Sequence, residues 1–265
     1  MHLLASSFFH LDWRFGWLVV AAFLGGTLNA VAGGGSFLLF PALLSMNILP
    51  IQANATNTVA LWPGQLTSIA AYRVYVQKHL RLALLLALAG LLGGVSGATL
   101  LLRTPQMTFL HLVPWLLLFA ALLFAASSPV SRWLQRRKGA RVHTHGPRHL
   151  PVFLATVVVC FYIGYFGAGA GFLLITLFTL FGFEDMNEVN ALKVVSTTMA
   201  NGMAFLLFVI NGQVVWHLCL LAMVTCAIGG YTSASLARRI PQPVLRVTVV
   251  LIGLGMAGWF FWKTR

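Results

Sequence analysis

The sequence predicts an all-α, polytopic integral membrane protein, and two observations carry that prediction: its composition and its long apolar runs. Of the 265 residues, 59% are hydrophobic and 8% are charged, whereas about 25% of the residues of a soluble domain are charged. Several uncharged runs exceed the ~18 residues needed to cross a bilayer. We therefore predict about 8 transmembrane helices plus broken or re-entrant segments, arranged as two inverted repeats.

The first half, 1–126, contains apolar segments separated by short polar ones, in the order 16–32, 33–46, 55–71, 82–102 and 107–126. Between them we expect a polar turn at 47–54 and a basic loop at 73–81. Two interleaved GxxxG spacings in 82–102 indicate close helix packing. Residues 30–32 resemble a signal-peptide cleavage site, but the second half keeps an equivalent helix, so we expect the first helix to be retained.

A basic linker at 127–150 separates this half from the second, 151–265, whose apolar segments are 151–166, 171–181, 191–210, 215–236 and 244–262. An acidic loop is expected at 183–190 and a turn at 211–213. The histidines of the linker lie among six Lys and Arg residues. That surrounding charge favours a solvated basic segment at the lipid headgroups over a metal site.

Two glycine-rich stretches interrupt apolar runs at corresponding places in the two halves. Residues 29–36 read NAVAGGGS, and residues 164–171 read GYFGAGAG. Glycines weaken a helix and leave its backbone uncovered, which a membrane tolerates only inside protein or beside a water-filled cavity. The helix that restarts directs N–H groups and a positive dipole end at that cavity, which favours an anion. Paired breaks indicate a transporter site, whereas glycines that only allow close packing explain one stretch but not the repetition.

An unusually polar segment follows each break, and it supplies candidate side chains for the same site. Asn57, Gly64 and Ser68 share one face of the first such segment. They either line the cavity or form hydrogen bonds between helices. We predict an anion-binding site made of backbone donors and a polar shell, comprising Gly33, Gly34, Gly35, Ser36, Asn57, Thr58, Gln65, Gly169, Gly171, Lys193, Thr197, Thr198 and Asn201. Lys193 is the best-placed cation, although an anchor at the cytoplasmic membrane edge would also suit it.

The distribution of basic residues predicts the orientation of the chain. Most Lys and Arg residues fall in 73–81, 127–150, 183–193 and 237–246, which we place in the cytoplasm. The other side keeps few: Arg14, Arg103, Lys263 and Arg265. Each half then crosses the membrane an odd number of times in net, so the halves are inverted and both termini lie outside. The basic residues set orientation, and we expect no nucleic-acid partner.

The polar residues do not suggest an enzyme, a cofactor or a metal site. All four carboxylates, Asp12, Glu184, Asp185 and Glu188, fall in predicted loops, so no acid is available inside the membrane for a proton relay or a sodium site. The three cysteines lie in apolar runs without metal-binding spacing and are expected to pack in the core. A non-transporting membrane subunit or assembly factor is the competing hypothesis, but it would not need polar groups at matched depths.

The motifs resemble the TauE/SafE sulfite exporter family. The first half carries NAVAGGGSFLLFPALL, ANATNTVA and the PG at 63–64, and the second carries GAGAGFLL, NALKVVSTTMANG and NGQVVW. The resemblance extends from about residue 16 to 262. It implies a bacterial inner-membrane transporter that moves sulfite, sulfoacetate or a related organosulfonate, usually outward. The anion, the coupling ion, with protons as one candidate, and the oligomeric state, with a homo-oligomer as one option, stay open.

Overall fold

The computed structural model describes residues 13–138, 149–183, 185–236 and 242–263. In these ranges the chain forms helices joined by short connections, without strands. They are α1 Trp13–Ala32, α2 Ser36–Ser45, α3 Pro50–Ala71, α4 Arg73–Lys78, α5 Leu80–Arg103, α6 Gln106–Lys138, α7 His149–Tyr165, α8 Ala170–Leu180, α9 Met186–Ile210, α10 Trp216–Leu236 and α11 Gln242–Lys263. The all-α prediction is confirmed.

Three of the described helices are long and apolar enough to cross a membrane: α5, α9 and the part of α6 from Gln106 to Leu123. Shorter apolar helices accompany them, among them α2, α7 and α8. The shortness of α2 and α8 follows from the breaks before them, because each begins only after a glycine-rich turn. A multi-pass membrane protein is thus supported, and the count of eight crossings stays a prediction.

Several polar segments that we expected as loops or turns are helical. Helix α3 begins at Pro50, inside the predicted turn 47–54, because proline suits the first helical position. The predicted basic loop 73–81 contains helix α4 and the start of α5. Helix α6 continues to Lys138, well into the segment assigned to the linker. Polar residues in the sequence indicate contact with water, but they do not exclude a helix. A helix satisfies its own backbone hydrogen bonds in water as well as in lipid.

The predicted acidic loop 183–190 is likewise partly helical. Helix α9 starts at Met186, and the Asp185 carboxylate caps it by accepting the N–H of Asn187 at 2.8 Å. Glu188, in the first turn, accepts a hydrogen bond from Lys78 Nζ at 2.6 Å, and His79 Nε2 lies 3.0 Å from the same carboxylate oxygen. The Glu188 carboxylate raises the pKa of Lys78 above its ordinary value. This contact joins the end of α4 to the start of α9.

Glycines allow α5 to pack closely on two helices at once, as its interleaved GxxxG spacings predicted. Gly93 and Gly97 face α7, and a Cβ added to Gly97 would lie 2.1 Å from the carbonyl oxygen of Phe161. Gly90 and Gly94 face α9, where a Cβ on Gly94 would lie 2.4 Å from the carbonyl oxygen of Ala200. Each spacing therefore serves a different neighbour, and the packing prediction is confirmed.

The pair α1 and α10 approaches just as closely. A Cβ on Gly26 would lie 2.1 Å from the carbonyl oxygen of Cys226, and one on Gly229 would lie 2.0 Å from that of Phe23. The Cys226 thiol donates to the carbonyl of Ala22 at 3.1 Å. All three cysteines are buried and free, which confirms the expectation that they serve packing.

The helices of the two halves have corresponding neighbours. Helix α1 packs on α10, and α7 packs on α5. Helix α2 contacts α1 and α3, just as α8 contacts α7 and α9. Between the halves, α3 packs on α9 and α6 packs on α11. The broken helices are thereby held beside the crossing of α3 and α9.

Candidate functional site

The first break depends on one left-handed residue. Gly33 has φ +72° and donates its N–H to the carbonyl of Asn29 at 3.0 Å, which ends α1. Gly35 keeps a right-handed conformation and serves close approach instead. A Cβ there would lie 2.5 Å from the carbonyl oxygen of Gly25. Gly34 lies buried between them. Helix α2 consequently folds back against α1.

The second break uses two left-handed glycines, Gly167 at φ +77° and Gly169 at φ +73°. The N–H of Gly167 donates to the carbonyl of Tyr162 at 3.0 Å, and the Tyr162 hydroxyl donates to the carbonyl of Ala168 at 2.8 Å. The side chain of Tyr162 therefore holds the turn that it precedes. Gly167 and Tyr162 were not among the predicted site residues, although Gly167 is part of the glycine-rich motif.

The two breaks meet. A Cβ placed on Gly171, in the first turn of α8, would lie 3.9 Å from the Cα of Gly33 and 3.8 Å from the Cδ of Lys193. The structure thus brings together three predicted site residues from three different helices or breaks. Because Gly33 and Gly171 have no side chains, they leave a space there that a larger residue would fill. Helices α2 and α8 both begin at this place, so their positive dipole ends lie close to it, although the N–H groups of Phe37 and Phe172 already donate to the carbonyls of Gly34 and Gly169.

Lys193 lies at this meeting point and has no carboxylate partner among the ion pairs of the described residues. Its half-buried side chain follows the backbone of α8, and its Nζ donates to the Oδ1 of Asn190 at 2.9 Å. An ammonium group has three donors, and this bond uses one. A cation that is half-buried beside helix N-termini makes the place attractive to an anion.

Asn57 and Ser36 form the contribution of the first half. The Nδ2 of Asn57 donates to the Oγ of Ser36 at 3.0 Å, which places Asn57 at the first turn of α2. Asn57 is only 1% exposed. Its Oδ1 is buried without a hydrogen-bond partner among the described residues. Asn57 thus lies at the first break.

Asn54, one turn earlier on α3, was missed by the sequence reasoning. Its Nδ2 donates to the carbonyl of Tyr165 at 3.2 Å, the last residue of α7. It is 1% exposed, and its Oδ1 also has no partner in the described part of the chain. The spacing of three residues from Asn57 puts both amides on one face of α3, and this spacing was the signal that could have found it.

Three other predicted residues, Gln65, Thr198 and Asn201, form a separate cluster at the crossing of α3 and α9. Asn201 Nδ2 donates to Gln65 Oε1 at 3.0 Å, and the Thr198 hydroxyl donates to the carbonyl of Gln65 at 3.4 Å. Trp62 Nε1 donates to the carbonyl of Thr198 at 3.0 Å, and its ring stacks on Phe205. These residues form hydrogen bonds between helices, which was the alternative that the sequence left open.

Three further polar side chains, those of Thr58, Thr197 and Ser68, make local contacts. The hydroxyls of Thr58 and Thr197 donate to carbonyls of their own helices at 3.0 Å and 3.1 Å. Gly64 is exposed, and the Ser68 hydroxyl donates to its carbonyl at 2.9 Å. No group of His, Cys, Asp or Glu that could hold a metal occurs in the described ranges. The candidate anion-binding residues therefore do not form one shell. One group lies at the breaks and another at the crossing of α3 and α9.

The fold and this site define the class of the protein as an all-helical, multi-pass membrane protein with two broken helices that meet inside it. The sequence model of the "Sulfite exporter TauE/SafE" family matches residues 18–260. The chain therefore belongs to the TauE/SafE family, as its motifs predicted. Membership supports a membrane transporter rather than an enzyme.

Relatives from three bacteria agree with this assignment. "Probable membrane transporter protein ORF9" of Sinorhizobium sp. is 29% identical over 252 residues, covering 94% of this chain and 92% of the relative. A "Probable membrane transporter protein" of Haemophilus influenzae is 25% identical, covering 92% and 95%. "Probable membrane transporter protein YfcA" of Escherichia coli K12 is 26% identical, covering 91% and 87%. No solved structure matches the chain.

Proposed function

We propose that this protein exports a small sulfur-containing anion, such as sulfite, sulfoacetate or another organosulfonate, across the bacterial inner membrane. The single observation that carries the proposal is the position of Lys193 at the contact between Gly33 and Gly171. The names of the relatives support transport, and the name of the family supports sulfite as one member of the substrate class.

The chemistry of the meeting point suits an oxyanion. Sulfur oxyanions present several acceptor oxygens to a small volume, so their site needs converging donors. The ammonium of Lys193 and the amide of Asn57 with the hydroxyl of Ser36 provide donors from both halves, and the N-terminal ends of α2 and α8 add their positive helix dipoles. Helix breaks that supply such donors at mid-membrane are typical of secondary transporters.

The contacts at the crossing of α3 and α9 support an inverted repeat. Trp62 contacts Thr198 and Gln65 contacts Asn201, and both pairs are 136 residues apart. Gly33 and Gly169 at the two breaks have the same separation. Residues that contact their own equivalents lie on a two-fold axis. Alternating access would then consist of one repeat moving against the other around the breaks.

Contacts between segments support the predicted topology. Lys78 and Glu188 join the connections before α5 and before α9, so both lie on one side, which we assign to the cytoplasm. The N–H of Ile51 donates to Gln106 Oε1, and that of Val215 donates to the hydroxyl of Thr56. These bonds join the starts of α3, α6 and α10 on the opposite side. Both termini would then lie outside.

Purified protein in proteoliposomes tests the proposal. We expect counterflow of sulfite or of an organosulfonate, stabilisation of the protein against heat by the same anions, and neither effect with chloride. A panel with and without a pH gradient would show whether protons are coupled. A protein that inserts correctly but neither binds nor moves any sulfur oxyanion would instead favour a non-transporting membrane subunit.

A further inference from the structure

We propose that the transported anion carries its own hydrogen-bond donor, a hydroxyl, an ammonium group or an acidic proton, and that Asn54 recognises this donor. The inference rests on the proposed function, because it concerns the anion bound at the two breaks. The observation behind it is a buried acceptor that finds no donor among the described residues, on the face of α3 that also carries Asn57.

The orientation of the Asn54 amide follows from its partner. The carbonyl of Tyr165 can only accept, so the Asn54 group that contacts it at 3.2 Å must be the Nδ2. The Oδ1 of Asn54 is therefore the atom that has no hydrogen-bond partner in the part of the chain that the structure describes. The amide of Asn57 is not fixed in this way, because the hydroxyl of Ser36 can donate or accept. Asn54 consequently carries the argument.

The second half shows what the first half lacks. Asn190 is 136 residues after Asn54, the same separation as that of Gln65 and Asn201. The Oδ1 of Asn190 accepts a hydrogen bond from Lys193 Nζ at 2.9 Å. The residue equivalent to Lys193 in the first half is Asn57, which supplies no ammonium group. The acceptor of Asn54 thus lacks the donor that its counterpart has.

A ligand with two different ends would complete both halves. Its anionic group would lie at Lys193 and the N-termini of α2 and α8, and its donor would take at Asn54 the place that Lys193 Nζ takes at Asn190. A buried acceptor without a donor costs free energy. A site with such an acceptor therefore discriminates against an analogue that lacks the donor.

Binding of matched sulfonates to the full-length protein in lipid nanodiscs tests this inference. The probes are 2-hydroxyethanesulfonate and 2-aminoethanesulfonate, with 1-propanesulfonate as the analogue of similar size without a donor. We expect the first two to bind roughly 10- to 100-fold more tightly than the third. Hydrogensulfite compared with methanesulfonate, at mildly acidic pH, provides the same test for an inorganic anion whose donor is its proton.

Variants extend the test. Asn54→Leu should bring the affinity ratio between the hydroxyl and the propyl compound close to one, whereas Asn211→Leu, which removes an exposed amide on a turn, should keep the wild-type ratio. Should Asn54→Leu fail to fold, the wild-type ratio alone decides. Equal binding of all probes would overturn this inference only, and would mean that an internal water satisfies Asn54. Absence of binding by every sulfonate and by sulfite would overturn the proposed function as well.

Discussion

Gln65 and Asn201, 136 residues apart, are hydrogen-bonded to each other through their side-chain amides at 3.0 Å. They come from corresponding helices, α3 and α9, and Trp62 and Thr198 make a second contact at the same separation. Polar side chains buried between apolar helices need such partners. This crossing joins the two halves next to the breaks, so its stability bears on any movement between them.

The amide pair should couple the stabilities of α3 and α9. In a double-mutant cycle, Gln65→Leu and Asn201→Leu should each destabilise the protein, and the double variant should lose less than the sum. We expect a coupling of about 0.6 kcal/mol, the usual value for hydrogen bonds between membrane helices. Unfolding in mixed micelles measures it. Strictly additive losses would show that the pair contributes nothing as a pair.

Removing the charge of Lys193 should weaken anion binding by at least about tenfold, because the ammonium is the cation at the meeting point of the breaks. The variant is Lys193→Met, and calorimetric titration with sulfite measures it. Lys78→Met is the matched control, because Lys78 is exposed and contacts Glu188 instead. Unchanged affinity in Lys193→Met would reduce Lys193 to an anchor at the membrane edge.

The free space at Gly171 should be necessary for transport. A Cβ there meets nothing closer than 3.8 Å, so Gly171→Ala should be tolerated. Gly171→Leu should abolish anion flux in proteoliposomes, since its side chain would fill the space beside Lys193 and Gly33. Gly258→Leu is the control, because that glycine is exposed with nothing within 4 Å. Normal flux through Gly171→Leu would place the pathway elsewhere.

The packing of α5 on α7 should be sensitive to a single methyl group. In Gly97→Ala the new Cβ would lie 2.1 Å from the backbone oxygen of Phe161, so the helices must separate. We expect destabilisation of roughly 1–3 kcal/mol. Gly255→Ala, at an open helical position, should be neutral or stabilising. Equal thermal midpoints of the two variants would contradict the close contact.

Single-cysteine labelling should place the Lys78–Glu188 contact in the cytoplasm. In a background without native cysteines, Lys78→Cys and Glu188→Cys should react with an impermeant thiol reagent only after the membrane is opened. Arg103→Cys, at the exposed end of α5, should react in intact cells. Labelling of positions 78 and 103 from the same side would refute the predicted topology.

The sequence predicted the helical class, the family and the two breaks because these depend on local properties. A long apolar run has few alternatives in a bilayer, and consecutive glycines weaken any helix. The same local reasoning was wrong about 73–81 and 183–190, where it took polar composition for loop. It also could not separate polar residues that bind a ligand from those that bond a neighbouring helix. The same hydroxyl and amide side chains serve both purposes.

The sequence by itself determined that helices would break at residues 29–36 and 164–171. Only the tertiary structure decided that Gly33, Gly171 and Lys193 meet, and that Gln65 and Asn201 bond each other instead of joining them. The physical reason is that the glycine spacing shows only where another backbone can approach closely. Which helix makes that approach depends on how α3, α9 and the broken helices cross.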